Sequence, residues 1–310
     1  MYEFGVNLKR FEVPAALGGI CTVEDSVAWI EDVVEQCMES GLGVIPDTRV
    51  RVFPPESLLV YAQRRLDSFP EARRVGFSVG SQAVYREDIQ EGGNFGAYTT
   101  NLPAAAVAAS GVRSALIGHS EERYDTFTML ESYDPEIAGS AEARARANHV
   151  VNELVGREVA RAAARGLSIM LCVGETAEEK GGGTPSEQND RVRAVLHGQL
   201  SAALAAADAH EADIVIAYEP RWAIGPGRTP PDGAYIEQVC GVIKTITAEL
   251  VRRELPVVYG GGLKRENAAE VGAVSTVDGG LVALTKFTPP LAFDPAELRA
   301  IIELFLQASR

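Results

Sequence analysis

Along the chain, short apolar and β-branched runs alternate with longer Ala-rich segments whose apolar residues recur every three or four positions. The runs fall at residues 3–8, 50–53, 74–79, 114–118, 168–173, 213–218, 256–259 and 280–284. Most are apolar on both faces, as strands are when helices cover a parallel sheet. Eight such runs are what a closed parallel barrel requires, so the pattern predicts a single α/β barrel. Helices are predicted over 24–40, 150–165 and 234–253, where the spacing of three and four is clearest. Asp25 and Ser26 offer a helix start, and Gly41 and Gly166 offer helix ends.

Two stretches break the rhythm. Residues 85–100, after the third run, are rich in Gly, Asn and Tyr. Residues 125–148, after the fourth, contain Pro135 and Gly139 and then turn charged and Ala-rich. Both read as elaborated loops, the second with room for an extra helix; loops of such length usually carry function. No linker composition interrupts the chain, so residues 1–310 read as one barrel domain, a size that suits the fold.

Composition narrows the partners. Apolar residues make up 46% and charged residues 23%, ordinary values for a globular chain. Lys and Arg number 29 against 43 Asp and Glu, a formal charge of −14. That balance argues against nucleic acid and anionic membranes, which need dense positive charge. It leaves room for a small anion held by backbone N–H groups at helix starts. Cys21, Cys37, Cys172 and Cys240 show neither metal-ligand spacing nor a disulfide framework. No apolar run reaches the roughly 18 residues of a membrane span, and the first residues lack a signal pattern. A cytoplasmic protein with reduced thiols and no metal site is expected.

In a parallel barrel the C-terminal ends of the strands carry the chemistry, and unusual residues gather there. Asn7-Leu8-Lys9 closes the first run, and Gly118-His119-Ser120-Glu121-Glu122-Arg123 follows the fourth. Cys172-Val173-Gly174-Glu175 closes the fifth, Tyr218-Glu219-Pro220-Arg221-Trp222-Ala223-Ile224-Gly225 follows the sixth, and Tyr259-Gly260-Gly261-Gly262 follows the seventh. A lone Glu before Pro is ordinarily a surface turn, and a lone His a structural side chain. Their coincidence at one barrel face makes them candidate site residues.

Through these motifs, above all AYEP-x-WAIG around Glu219, GHSEER around His119 and NLK at the first strand, the chain resembles the triosephosphate isomerase family from Asn7 to Leu284. The resemblance implies the (β/α)8 TIM-barrel fold and an aldose–ketose isomerase of small sugar phosphates working through an enediolate. A proton leaves the carbon beside a carbonyl and returns to the neighbouring carbon. It implies Glu219 as the base, strengthened when a closing loop strips it of water, and His119 as the electrophile, a role this family's histidine plays as a neutral imidazole. Lys9 matches the active-site cation, Asn7 its hydrogen-bonding neighbour, and Glu121 a buried carboxylate beside them. No metal or redox cofactor is needed, and none is expected. Residues 220–229 match the mobile lid, and Gly225, Gly260, Gly261 and Gly262 are expected to offer N–H groups to phosphate. A homodimer is implied, with residues 85–100 keeping an aromatic–Thr patch related to the loop that reaches the neighbouring subunit.

The match also has departures. Arg221 stands where the family usually has an aliphatic residue, and Gly262 where it usually has serine. The paired glycines expected after strand 8 are Ala283 and Leu284, followed by Thr285 and Lys286. A reshaped anion site is expected there, with Lys286 adding charge. Two substrates remain open, a triose phosphate and a four-carbon erythrulose phosphate, since isomerases of the latter keep the same Glu, His and Lys. A third reading is a non-catalytic metabolite-binding paralogue; retention of Glu219, His119 and Lys9 together argues against it.

Overall fold

The structure, a computed structural model, describes residues 1–206, 211–224 and 228–309. Eight strands run in chain order: β1 (Tyr2–Asn7), β2 (Thr48–Phe53), β3 (Phe77–Ser81), β4 (Ser114–Ile117), β5 (Ser168–Val173), β6 (Ile214–Tyr218), β7 (Val257–Tyr259) and β8 (Gly279–Val282). Each pairs in parallel with the next, and β8 pairs with β1, closing the barrel. The described helices are α1 (Ser26–Glu39), α2 (Leu59–Asp67), α3 (Ala104–Ala109), α4 (Ser120–Tyr133), α5 (Glu136–Gly139), α6 (Ala141–Ala164), α7 (Ala177–Lys180), α8 (Pro185–Ala206), α9 (Gly233–Val251), α10 (Ala268–Gly272) and α11 (Pro295–Ala308). None of them is long and apolar enough to cross a membrane.

The period-two geometry of a strand explains why the runs are apolar throughout. In β5, Ile169, Leu171 and Val173 pack outward against helices, while Met170 and Cys172 face a separate cluster with Phe53, Leu116, Val215, Ala217, Val258 and Leu281. That second cluster is the barrel interior. Carrying the same alternation along the strands sorts the inward side chains into layers. Glu3 and Arg51 lie on the N-terminal side of the apolar layer. Asn7 and Glu219 lie on the C-terminal side, two residues beyond Gly5 and Ala217 respectively, and Lys9 follows Asn7 there.

The lower layer is polar. Arg51 and Glu3 are both buried, with Arg51 Nη1 donating to Glu3 Oε2 at 2.6 Å and Arg51 Nη2 to Ser168 Oγ at 2.9 Å. Arg49 adds a pair to Glu3 and reaches Asp213 at 2.7 Å. This network closes the barrel floor, away from the strand ends that carry the candidate site residues.

Local signals set the helix bounds. Asp25 caps α1 by accepting from Val27 N at 2.9 Å, as its side chain and position predict. Residues 125–148 are a correction to the loop reading: α4 continues to Tyr133, and α5 and the start of α6 take up the rest. Ser140 supplies the reason, since its Oγ accepts from Ala143 N and starts α6 immediately after Gly139. A small core of Ile137, Ala143 and Ala147, packed against Phe127 and Leu130, holds the segment down. Residues 82–103, by contrast, carry no regular helix or strand. All four cysteines are buried and unpaired.

Candidate active site

His119 is the N-cap of α4, and this one fact places three groups. A helix start leaves its first N–H groups without intrahelical acceptors. The Glu121 N–H donates to His119 Nδ1 at 3.2 Å, so the ring's own proton sits on Nε2. The Ser120 N–H donates to Glu219 Oε2 at 3.0 Å, and His119 Nε2 lies 3.3 Å from Glu219 Oε1. Both oxygens of Glu219 are thus held against the start of α4, and the carboxylate is buried, 5% exposed.

The turn presenting His119 is clamped by side chains of the same helix. Glu122 Oε2 accepts from Gly118 N at 2.8 Å, and Arg123 Nε donates to Gly118 O at 2.9 Å. Arg123, itself buried, also reaches Asn152 Oδ1 at 2.9 Å and Cys172 O at 3.2 Å, tying β5 to the same point. Behind Glu122 lies Glu158, with a buried oxygen that lacks a hydrogen-bond partner. Burial and then the Glu122 charge push the Glu158 carboxyl well above the usual carboxylate range, against the pull of Arg86 and Arg123. An acid whose folded pKa is raised keeps a proton that the unfolded chain releases, so it costs stability progressively above pH 4.5. We expect Glu158→Gln to gain on the parent as pH rises from 5 to 8, with a slope of up to about 1.4 kcal/mol per pH unit. Urea unfolding across that range checks it; parallel curves for the two proteins would assign the proton elsewhere.

Lys9 takes a left-handed backbone conformation, φ 44°, unusual for a residue with a side chain. Such geometry persists only where neighbours enforce it. Asn7 Oδ1 accepts the Lys9 N–H at 2.9 Å, and Gln82 Nε2 reaches Lys9 O and Phe53 O, each at 3.0 Å. Lys9, His119, Glu121, Tyr124 and Arg221 line one cavity of about 240 Å³. The structure thus brings together Glu219, His119, Lys9 and Asn7.

Glu121 differs from its expected place. It lines this cavity but is exposed rather than buried: in the first turn of α4 it is Glu122 and Arg123 that face back into the protein, while Glu121 points outward. The phosphate candidates also separate. The Gly260 N–H donates to Tyr218 O at 2.8 Å and is not available to a ligand. Gly260 instead makes room: a Cβ there would lie 3.1 Å from Glu219 Cγ. Gly261 and Gly262 keep N–H groups without an acceptor among the described residues, whereas Gly225 lies outside them. β8 ends at Val282, leaving Ala283 and Leu284 in the loop beyond it. The Lys286 ammonium, 57% exposed, faces Asp294 Oδ2 at 3.6 Å, and its backbone pairs with Ala292. Asp294 is the N-cap of α11, which draws the loop and its lysine toward that helix. Lys286→Ala should therefore change the KM for a phosphorylated substrate by less than about threefold, as for an exposed pair; initial-rate kinetics check this, and a tenfold rise would return Lys286 to the anion site.

Glu175 closes the fifth-strand motif without a role assigned by the resemblance, and the structure makes it a hub. It is fully buried and accepts from Trp222 Nε1 at 2.7 Å, Tyr235 Oη at 3.1 Å and Tyr218 Oη at 3.1 Å. Burial raises its pKa in spite of these donors. Its signal was its place, two residues beyond the end of β5. Gln82, just past β3, had the same signal. Cys172 touches Glu219, and burial followed by that carboxylate pushes its thiol far up, so it packs as a neutral group. Gly174 is obligatory for another reason: a Cβ there would meet Glu219 O at 1.9 Å.

A parallel barrel with a carboxylate, an imidazole and an ammonium converging at its strand ends defines an enzyme that moves protons on a small substrate. The triosephosphate isomerase family model matches residues 22–290, and the chain belongs to that family. Among its relatives are triosephosphate isomerases of Oleidesulfovibrio alaskensis, 33% identical over 78% of this chain and 83% of the relative, and of Stenotrophomonas maltophilia, 35% identical over 75% and 78%. That of Halorhodospira halophila is 32% identical over 84% of this chain and 89% of its own length. The chain is accordingly an aldose–ketose isomerase.

Proposed function

We propose that the protein interconverts glyceraldehyde 3-phosphate and dihydroxyacetone phosphate. The observation that carries this reading is the meeting of Glu219 and His119 at the start of α4, with Lys9 on the same cavity. Glu219 removes the proton from the carbon beside the carbonyl. His119, whose proton is on Nε2, donates to the carbonyl oxygen as charge develops there. Lys9 supplies positive charge beside the enediolate, and Glu219 returns the proton to the neighbouring carbon. The carboxylate rests on the Ser120 N–H, so substrate must draw it off that donor before it can act. The Gly261 and Gly262 N–H groups are the candidates for holding phosphate.

A second reading is favoured by the loss of the glycine pair at Ala283 and Leu284, together with Arg221 at the mouth. Both change the pocket outside the reacting groups, as a four-carbon erythrulose phosphate would require. Coupled assays with triose and tetrulose phosphates side by side decide. A kcat/KM at least tenfold higher for the triose supports the first reading, the reverse ratio supports the second, and inactivity on all of them removes both. We further propose a cytoplasmic homodimer. Phe95, fully exposed with a left-handed backbone in the segment after β3, supports a contact with a second subunit, and sedimentation velocity of Phe95→Ser against the parent tests it.

A further inference from the structure

Trp222 stands three residues beyond Glu219, and groups from outside the lid grip it. Its indole N–H donates to Glu175, and its ring lies 3.7 Å beneath the Lys180 ammonium. Tyr235, in the first turn of α9, meets it edge-on, with centroids 5.6 Å apart and an interplanar angle of 86°. The same ammonium lies 4.2 Å from the Tyr235 ring, and the Tyr235 hydroxyl donates to the same Glu175 oxygen as the indole. One ammonium thus sits over two aromatic rings whose polar ends share one buried carboxylate.

Tyr235 is itself well anchored, since its N–H donates to the α9 cap Asp232 at 2.8 Å. The chain between Trp222 and Glu219 is short and braced. Arg221 N donates to Glu175 O at 3.1 Å, and Ala223 N to Pro220 O at 2.8 Å. A displacement of the Trp222 ring is therefore passed to Glu219 and not absorbed between them.

We propose that Tyr235 is a positioning residue for the isomerisation: with Lys180 it holds Trp222 against Glu175 and so fixes the stretch of chain that carries the base. The proposal rests on Glu219 being that base. The Tyr235 partners Trp222, Lys180, Glu175 and Asp232 do not line the cavity that holds Lys9 and His119, so its effect passes through Trp222. Its hydroxyl and its ring have separable parts, one bonding Glu175 and the other facing Trp222 and Lys180.

The test uses the full chain in a Trp29→Phe background, where Trp222 is the single emitting tryptophan. Tyr235→Ala should lower kcat about tenfold with KM changed less than about threefold. It should also shift the Trp222 emission to longer wavelength and increase its quenching by acrylamide. Tyr235→Phe, which keeps the ring contacts, should restore most of the kcat and most of the emission. Lys180→Met should alter the emission as Tyr235→Ala does. A Tyr235→Ala protein that is less stable but has unchanged kcat and emission below its melting temperature would overturn the proposal. If the parent isomerises neither triose nor tetrulose phosphate, the functional reading fails by itself, and the emission of Trp222 still reports whether the clasp exists.

Discussion

Turnover in Glu219→Asp is expected to fall by about a hundredfold or more, with the fold little disturbed. Removing one methylene draws the carboxylate back by roughly 1 Å, and a misplacement of that size can cost about 10²-fold. The backbone cannot move forward to compensate. Glu219 N is bonded to Val173 O at 2.8 Å, Pro220 follows, and Gly174 already lies so close to Glu219 O that a single added carbon would collide with it. The shortened side chain would also lose reach to the Ser120 N–H and to His119, which place the longer one. Coupled-assay kcat values beside thermal melts check this. Near-normal turnover would put the base elsewhere in the barrel.

The second large effect lies at the other end of the barrel and concerns stability. Glu3→Ala should cost about 3–5 kcal/mol, the usual cost of leaving one partner of a buried ion pair alone. Arg51 is 2% exposed and its guanidinium faces Glu3 at 2.6 Å. Burial lowers the Arg51 pKa, and Glu3 is the largest influence holding it up. Without Glu3, Arg51 keeps the neutral Ser168 hydroxyl and, as counter-charge, the more distant Asp213, at 3.6 Å and half open to solvent. Urea unfolding at pH 7 measures the loss, and a change under about 1 kcal/mol would show that the network contributes little. Glu3→Leu combined with Arg51→Met should recover most of it, because the charge and its desolvation cost leave together. Activity of folded Glu3→Ala should stay near the parent's, since the apolar layer of Phe53, Leu116, Met170 and Leu281 separates this floor from Glu219.

The two sites differ in how far they were legible along the chain. Glu219, His119, Lys9 and Asn7 each sit in a local pattern that ends a strand, and local patterns survive in one dimension. Glu175 and Gln82 occupy equivalent positions, yet their importance comes from partners far away in sequence. Glu175 gathers Tyr218, Trp222 and Tyr235, and Gln82 braces the backbone of Lys9. The Arg51–Glu3 pair was invisible for a related reason: in a strand, a charged residue reads as a break in an apolar face until the opposite wall of the barrel supplies its counter-charge. Residues 125–148 misled because Pro135 and Gly139 look like loop punctuation, whereas here they separate three helices packed on a small core.

What the amino-acid order determined by itself is the repeating strand and helix, the count of eight, and the candidate site residues at the strand ends. Those follow from hydrophobic period and from motifs only a few residues long. What the tertiary structure decided is which of those groups meet, and in what state. It put the Gly260 N–H into the strand ladder, drew Lys286 toward Asp294, exposed Glu121, and set Glu219 on the N–H groups that begin α4. Each of these depends on where a second segment lies, and a hydrogen bond or ion pair between distant segments exists only once the closed barrel brings them within about 3 Å.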